Sequence, residues 1–210
     1  MPRLLFSPRD LLVLRGLSLQ VRLLGQRQLA DSLWHGDIAN ARRRLRRFAD
    51  LGLVERHVVL ARPLPELLSP VAQWRPGQPE PDAGQVAFEL QRRWKYRALR
   101  STVVYVPTKA IVEHFGGHAK RPLATQVSHD LGVAAIWLWY CQNRPDHVAT
   151  WRGEDMLTNN EHGQSVPDAV LVGRDERPAV WIEFGGDYAK DRVSAFHDSA
   201  ASLAASYQIW

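Results

Sequence analysis

Asp37-Ile38-Ala39-Asn40-Ala41-Arg42-Arg43-Arg44-Leu45-Arg46-Arg47-Phe48-Ala49-Asp50-Leu51-Gly52-Leu53-Val54 is the stretch on which the reading of this chain turns. Arg42, Arg43, Arg44, Arg46 and Arg47 crowd into one short run, and Ile38, Ala41, Leu45, Phe48 and Ala49 interrupt them at helical spacing. That pattern predicts a helix that buries one stripe and presents a dense cationic face. Asp37 is placed to cap its start and Gly52 to end it. Five guanidiniums this close repel one another unless an anion is the intended partner. The next run, Leu53 to Leu60, is rich in β-branched and apolar residues and predicts a strand or hairpin.

Working outward, Ser7 followed by Pro8 predicts the start of a first helix, with Leu11, Leu12, Leu14 and Leu17 as its buried stripe. Gln26 to Trp34 predicts a second short helix, and Trp34-His35-Gly36-Asp37 a tight turn into the arginine helix. Three helices followed by a β-wing resemble a winged helix-turn-helix over residues 1–62. The resemblance implies double-stranded DNA as partner and assigns its contacts to Asn40, Arg42, Arg43, Arg44, Arg46, Arg47 and Arg56. Asn40, Arg43, Arg44 and Arg47 would read base edges while neighbouring arginines hold phosphates.

The charge distribution agrees. The net charge is +5, yet residues 1–75 hold 13 arginines and no lysine against 6 acidic residues, a local +7. Residues 76–210 carry 14 basic and 16 acidic residues, a local −2. A planar guanidinium can donate two hydrogen bonds at once to phosphate or guanine. In 210 residues, a hydrophobic content of 45% and eight tryptophans supply real cores and exclude general disorder. No apolar run is long enough to span a bilayer, so no membrane partner is expected. The N-terminal residues lack a signal-peptide pattern and Cys141 is the single cysteine, so a reducing, cytoplasmic setting is expected. Cys141 lies in an apolar run and reads as a packed residue rather than a nucleophile.

Residues 63–84 carry six prolines and read as a linker or strap. A second unit over 85–210 is expected to open with a basic helix, 85–100, and a strand, 102–106. From Val127 the pattern is mixed α/β: a buried helix from His129 to Asn143, a short strand at 148–151 and a polar loop over 155–165. Two strands follow, 168–172 and 179–184, joined by the turn 173–178. A helix over 188–205 and a closing strand over 207–210 end the chain.

Within this unit Asp168 opens one strand of the expected hairpin and Glu183 lies near the end of the next. Two converging carboxylates can hold Mg²⁺ or Mn²⁺ beside a scissile phosphate, unless they cap turns or pair with local arginines. Asp130 and Glu154 are further candidate acids. His129, between Ser128 and Asp130, is either a helix-entry hydrogen-bonding residue or a neighbour of that cluster. His114, His118, His162 and His197 have no zinc-site spacing.

Ser128-His129-Asp130-Leu131-Gly132-Val133, Trp151-Arg152-Gly153-Glu154, Pro167-Asp168-Ala169 and Ile182-Glu183-Phe184-Gly185-Gly186-Asp187-Tyr188 together resemble the replication-relaxation family and the restriction-endonuclease-like conjugative relaxases related to it. The resemblance implies an α+β chain, a winged helix-turn-helix followed by a PD-(D/E)xK nuclease-like domain. It further implies a plasmid or integrative conjugative element as source and mobilisation or transcriptional repression as role. The expected partners are double-stranded DNA, a relaxase or other transfer proteins, and a second copy in a homodimer. Asp168 and Glu183 match the metal-binding acids, and His129 the histidine of the helix-opening motif. The lysine expected two residues after Glu183 is replaced by Gly185, and Lys190 is the nearest lysine that could migrate into its role. The expectation is therefore a DNA-binding protein with a degenerate nuclease-like unit. The alternatives are a Mg²⁺-dependent nickase or relaxase using Asp168, Glu183, Lys190 and His129, and, third, a tryptophan-marked protein-interaction module.

Overall fold

A computed structural model describes residues 5–95, 97–118, 122–157, 166–173 and 177–210. The expected polar loop lies outside the described residues from 158 to 165, His162 included, and the expected charged turn from 174 to 176. Among the described residues the chain is a mixed α+β fold with eight helices and two sheets, of three and five strands.

The first helix, α1, spans Pro8–Leu19. Ser7 caps it and Asp10 answers, its carboxylate accepting from the Ser7 backbone at 2.7 Å and hydroxyl at 2.8 Å. Next come a two-residue strand β1 (Leu24–Gly25), α2 (Gln26–Leu33) and the arginine helix α3 (Ile38–Asp50). The turn between α2 and α3 uses two left-handed residues, His35 (φ 51°) and Gly36 (φ 83°). Strand β2 (Val54–Ala61) follows. It does not fold back as a local hairpin. All eight of its residues pair antiparallel with a strand that returns only at Arg100–Pro107, and β1 pairs with the other edge of that strand. No Asn-Gly or Asp-Gly turn follows β2, and Pro63 and Pro65 cannot donate to a ladder, so the chain leaves the sheet before it can close it.

The excursion over 62–99 is not a free linker. Ala72–Trp74 forms β3, and Ala83–Trp94 forms α4, whose first backbone amides are capped by the Asp82 carboxylate at 2.8 and 3.0 Å. β3 is a strand of the second sheet, and α4 packs against that sheet. The returning strand is β4 (Arg100–Pro107), giving the order β1-β4-β2 for the first sheet. After α5 (Lys109–Phe115) and α6 (Val127–Asn143), Pro145 starts a short helix, α7 (Pro145–Val148). This takes up part of the expected 148–151 strand, and β5 is Trp151–Gly153 instead.

Strands β6 (Ala169–Val172) and β7 (Pro178–Glu183) continue an antiparallel run from β5. Helix α8 (Lys190–Ser202) crosses over to β8 (Ser206–Ile209), which is parallel to β7. β3 adds antiparallel to the far edge, so the order is β3-β8-β7-β6-β5. One buried cluster runs through both sheets, including Leu14 of α1, Trp137 of α6, Phe184 and Trp210. Helix α6 approaches the second sheet so closely that a Cβ on Gly132 would stand 2.4 Å from the Phe184 ring.

Candidate nucleic-acid interface and acidic cluster

Ala41, Leu45 and Phe48 of α3 are fully buried, which turns Asn40, Arg42, Arg43, Arg46 and Arg47 outward. None of these four arginines forms an ion pair among the described residues; the nearest acid named for them is Asp37, linked to Arg43 through Asn40. At about 100° per residue, Arg43 stands opposite the buried stripe, with Arg42 and Arg46 on one flank of the helix and Asn40, Arg44 and Arg47 on the other. The Asp37 carboxylate accepts from the Asn40 backbone at 2.9 Å and also from the Asn40 side chain, whose oxygen in turn accepts from Arg43. A cleft of about 980 Å³ runs between α1 and α3, lined by Arg9, Trp34, Asn40 and all five α3 arginines, Arg42, Arg43, Arg44, Arg46 and Arg47.

Arg44 has a different fate from its neighbours. Expected among the base-reading residues, it instead forms a two-pronged ion pair with Asp10, Nε to Oδ1 at 2.9 Å and Nη2 to Oδ2 at 2.5 Å. Its guanidinium lies 5.3 Å from the Phe48 ring centre. Burial raises the Asp10 carboxyl, but the bonds from Arg44 and Ser7 outweigh it and hold the group below its ordinary value. Arg44 therefore fastens α3 to the capped end of α1. Arg56 is exposed on β2, directly across from Tyr105 in the ladder.

The acidic residues meet because β6 and β7 pair Ala169 with Ile182, which brings the preceding Asp168 beside the following Glu183. Each acid is bonded to the other's strand. The Asp168 amide donates to Glu183 Oε2 at 3.1 Å, and the Phe184 amide donates to Asp168 Oδ2 at 2.8 Å. His129, in the first turn of α6, donates from Nε2 to Asp168 Oδ1 at 2.7 Å, and the Tyr188 hydroxyl donates to Glu183 Oε1. All four carboxylate oxygens thus have a protein donor. Burial disfavours charge on His129, yet the Asp168 carboxylate more than offsets it and lifts the imidazole to about 9. Burial first, and then Asp168, pushes the Glu183 carboxyl up. Tyr188 is likewise raised by burial and by Glu183.

A second knot adjoins this one. Arg22, from the α1–β1 connection, reaches Asp155 at 2.7 and 3.0 Å, Glu154 at 2.8 Å and Asp130 at 3.5 Å. Burial lifts Asp130 to about 6, against the pull of Arg22 and His129, and its Oδ2 is buried without a hydrogen-bond partner.

The two positions that could supply a catalytic lysine lie elsewhere. A Cβ at Gly185 would stand 2.6 Å from Leu90 and 2.9 Å from Ile209, so no lysine fits there without repacking. Lys190 is exposed at the start of α8, with its chain 4.0 Å from a Cβ built on Gly84 and its charge acting on Asp82. Besides His129, Arg192 adds a cation beside this network, its guanidinium 5.2 Å from the Tyr188 ring centre. Each of the four carboxylate oxygens accepts one hydrogen bond from within the chain, and no group of three or more His, Cys, Asp or Glu among the described residues has metal-holding geometry. Burial pushes the Cys141 thiol up to about 12, against a nucleophilic role.

Sequence reasoning missed Tyr188 as the partner of Glu183, although it stood in the quoted motif. It also missed Arg22, for which no local signal existed. Among the described residues no helix is long and apolar enough to cross a membrane. Comparison of the chain with protein-family models, curated proteins and solved structures finds no match.

Proposed function

We propose that this chain is a sequence-specific double-stranded DNA-binding protein whose α3 enters the major groove, with a nuclease-like unit that has lost its chemistry. The observation that carries this reading is the set Arg42, Arg43, Arg46, Arg47 and Arg56, exposed on adjoining elements without an ion pair among the described residues. Such charge density favours an external polyanion. The order α1-β1-α2-α3-β2-β4 with sheet order β1-β4-β2 supports a winged helix-turn-helix in which α3 is the recognition helix. Its wing tip is replaced by the excursion over 62–99. A helix, three antiparallel strands, a crossover helix and a parallel strand, α6-β5-β6-β7-α8-β8, support the PD-(D/E)xK-like reading of the second unit. The closed hydrogen bonding of Asp168 and Glu183 and the blocked Gly185 favour binding over cleavage. Mobilisation accessory factor or repressor on a mobile element is the role that the family resemblance adds.

The test is a supercoiled plasmid carrying DNA that flanks the gene, incubated with Mg²⁺ or Mn²⁺. Wild type and an Asp168→Ala/Glu183→Ala variant are expected to retard the plasmid equally and leave it uncut. Open circles from wild type alone would establish a nickase. Absence of retardation by wild type at low salt would overturn DNA binding.

A further inference from the structure

Strand β2 lies at the edge of its sheet, with β4 as its only neighbour there. The ladder fixes which of its main-chain groups are left over. One step beyond the Val54–Pro107 pair, Thr108 donates to the Leu53 carbonyl at 3.2 Å. Hydrogen-bonded pairs alternate along an antiparallel ladder, so Glu55, His57, Val59 and Ala61 bond to β4. Pro107, opposite Val54, has no amide to donate and fits that alternation. The N–H and C=O groups of Arg56, Val58 and Leu60 therefore point to the free edge, and nothing among the described residues closes them.

Long edges are ordinarily blunted by proline, lysine or a bulge. β2 holds no proline or lysine and pairs without a register shift. Val58 and Leu60 are 58% and 64% exposed on it. A mainly apolar groove of about 220 Å³ adjoins it, its lining including Glu55, His57, Val58, Val59, Pro122 and Ala124.

We propose that the free edge of β2 pairs with the same edge of a second copy, antiparallel about a two-fold axis, joining two three-stranded sheets into one of six strands. The resemblance implied a homodimer without a surface; the β2 ladder supplies one, independently of the DNA-binding reading. Charge and register argue for self-pairing. Outward groups must meet outward groups, so even-numbered residues stand opposite even-numbered ones and the axis passes through a residue. Centring it on Glu55, Arg56 or His57 sets that ionisable residue against its own copy, and like charges directly opposite destabilise a ladder. Centring it on Val59 sets Arg56 against Arg62, and centres farther along pair too few residues. Val58 avoids all of these. It meets its own copy, Arg56 lies across from Leu60 and His57 from Val59, and the whole of 55–61 is paired. The second copy then brings Val59 and Ala61 beside His57 and Glu55, where the groove lies.

The experiment is sedimentation velocity on the full chain without DNA, over a concentration series, with melting curves alongside. Wild type is expected to shift reversibly from the mass of one chain, 23.8 kDa, to that of two. Val58→Pro removes an outward amide and no bond to β4. It should keep the wild-type melting curve and weaken the dimer by about tenfold or more. Val58→Lys sets two ammonium groups against each other at the axis and should weaken it likewise, which keeps the test open if the proline variant fails to fold. Val58→Cys should cross-link under mild oxidant, because Cα atoms of a hydrogen-bonded antiparallel pair stand about 5.5 Å apart. Leu60→Cys, opposite Arg56, should not, and wild type controls for Cys141. A wild type that keeps the one-chain mass throughout overturns the proposal and leaves the edge to a strand of another protein. A dimer retained by the folded Val58→Pro or Val58→Lys variant overturns it by placing the interface elsewhere. Cross-linking through Leu60→Cys and not Val58→Cys overturns the register. Each of these leaves the DNA-binding reading untouched.

Discussion

The α3 face and the β6–β7 acid pair are both dense charge clusters, and the chain treats them oppositely. On α3 the guanidiniums of Arg42, Arg43, Arg46 and Arg47 are exposed and form no ion pair among the described residues. Around Asp168 and Glu183 every carboxylate oxygen meets a donor supplied by the chain itself. A charge cluster with no internal complement is open to an external one; where the complement is internal, the cluster helps hold the fold together, at the cost of burying ions. Arg44 makes the point within a single helix: it sits in the midst of the exposed arginines, and one aspartate on α1 removes it from the surface set.

The largest effect should come from Arg22. Replacing it with Ala removes the guanidinium that Asp130, Glu154 and Asp155 share, and the Asp130 side chain is only 4% exposed. Removing one partner of a buried pair typically costs about 3–5 kcal/mol. Urea unfolding of Arg22→Ala should show a loss of that order, with DNA affinity unchanged at temperatures where it is folded. A loss below about 1 kcal/mol would mean that the acidic knot is as open as the α3 face.

Arg44→Ala comes next. It strands the buried Asp10 carboxylate and loosens α3 from α1, and should destabilise by about 2 kcal/mol, between a charged hydrogen bond and a fully buried pair. Its effect on the sequence preference of DNA binding should be small beside that of Arg43→Ala. The reverse ranking would place Arg44 with the exposed set.

The third test is the pH profile. Folding raises His129 from 6.5 to about 9, so the folded state keeps a proton that the unfolded chain releases. Its stabilising contribution is complete below pH 6.5 and fades as pH climbs through 9. Asp130, raised from 3.8 to about 6, acts with the same sign at lower pH: its contribution is complete below 3.8 and gone above 6. Melting temperature should therefore fall as pH rises from 6.5 to 9, and a His129→Asn variant should show a flatter profile. Equal slopes in the two proteins would show that the His129–Asp168 pair is not closed in solution.

The α3 helix, its Asp37 cap and its Gly52 stop were legible because helix formation depends on residues within a turn or two of each other. The same holds for the capped start of α1, for the stretch of α6 and for the adjacency of Asp168 and Glu183, which follows once the two strands pair as neighbours. The partner of β2 was not legible. A strand's local pattern says that it is half-buried, not which strand lies beside it, and here the answer lay beyond an excursion that also builds part of the second sheet.

The sequence by itself determined a positively charged first half, an amphipathic arginine helix and two acids on neighbouring strands, since composition and short-range spacing suffice for each. Tertiary structure alone decided that Arg44 turns inward to Asp10, that Arg22 spans to Asp130, Glu154 and Asp155, and that His129 and Tyr188 close the acid pair. Charge pairing is a matter of distance and desolvation, and neither is set until segments far apart in the chain are packed together.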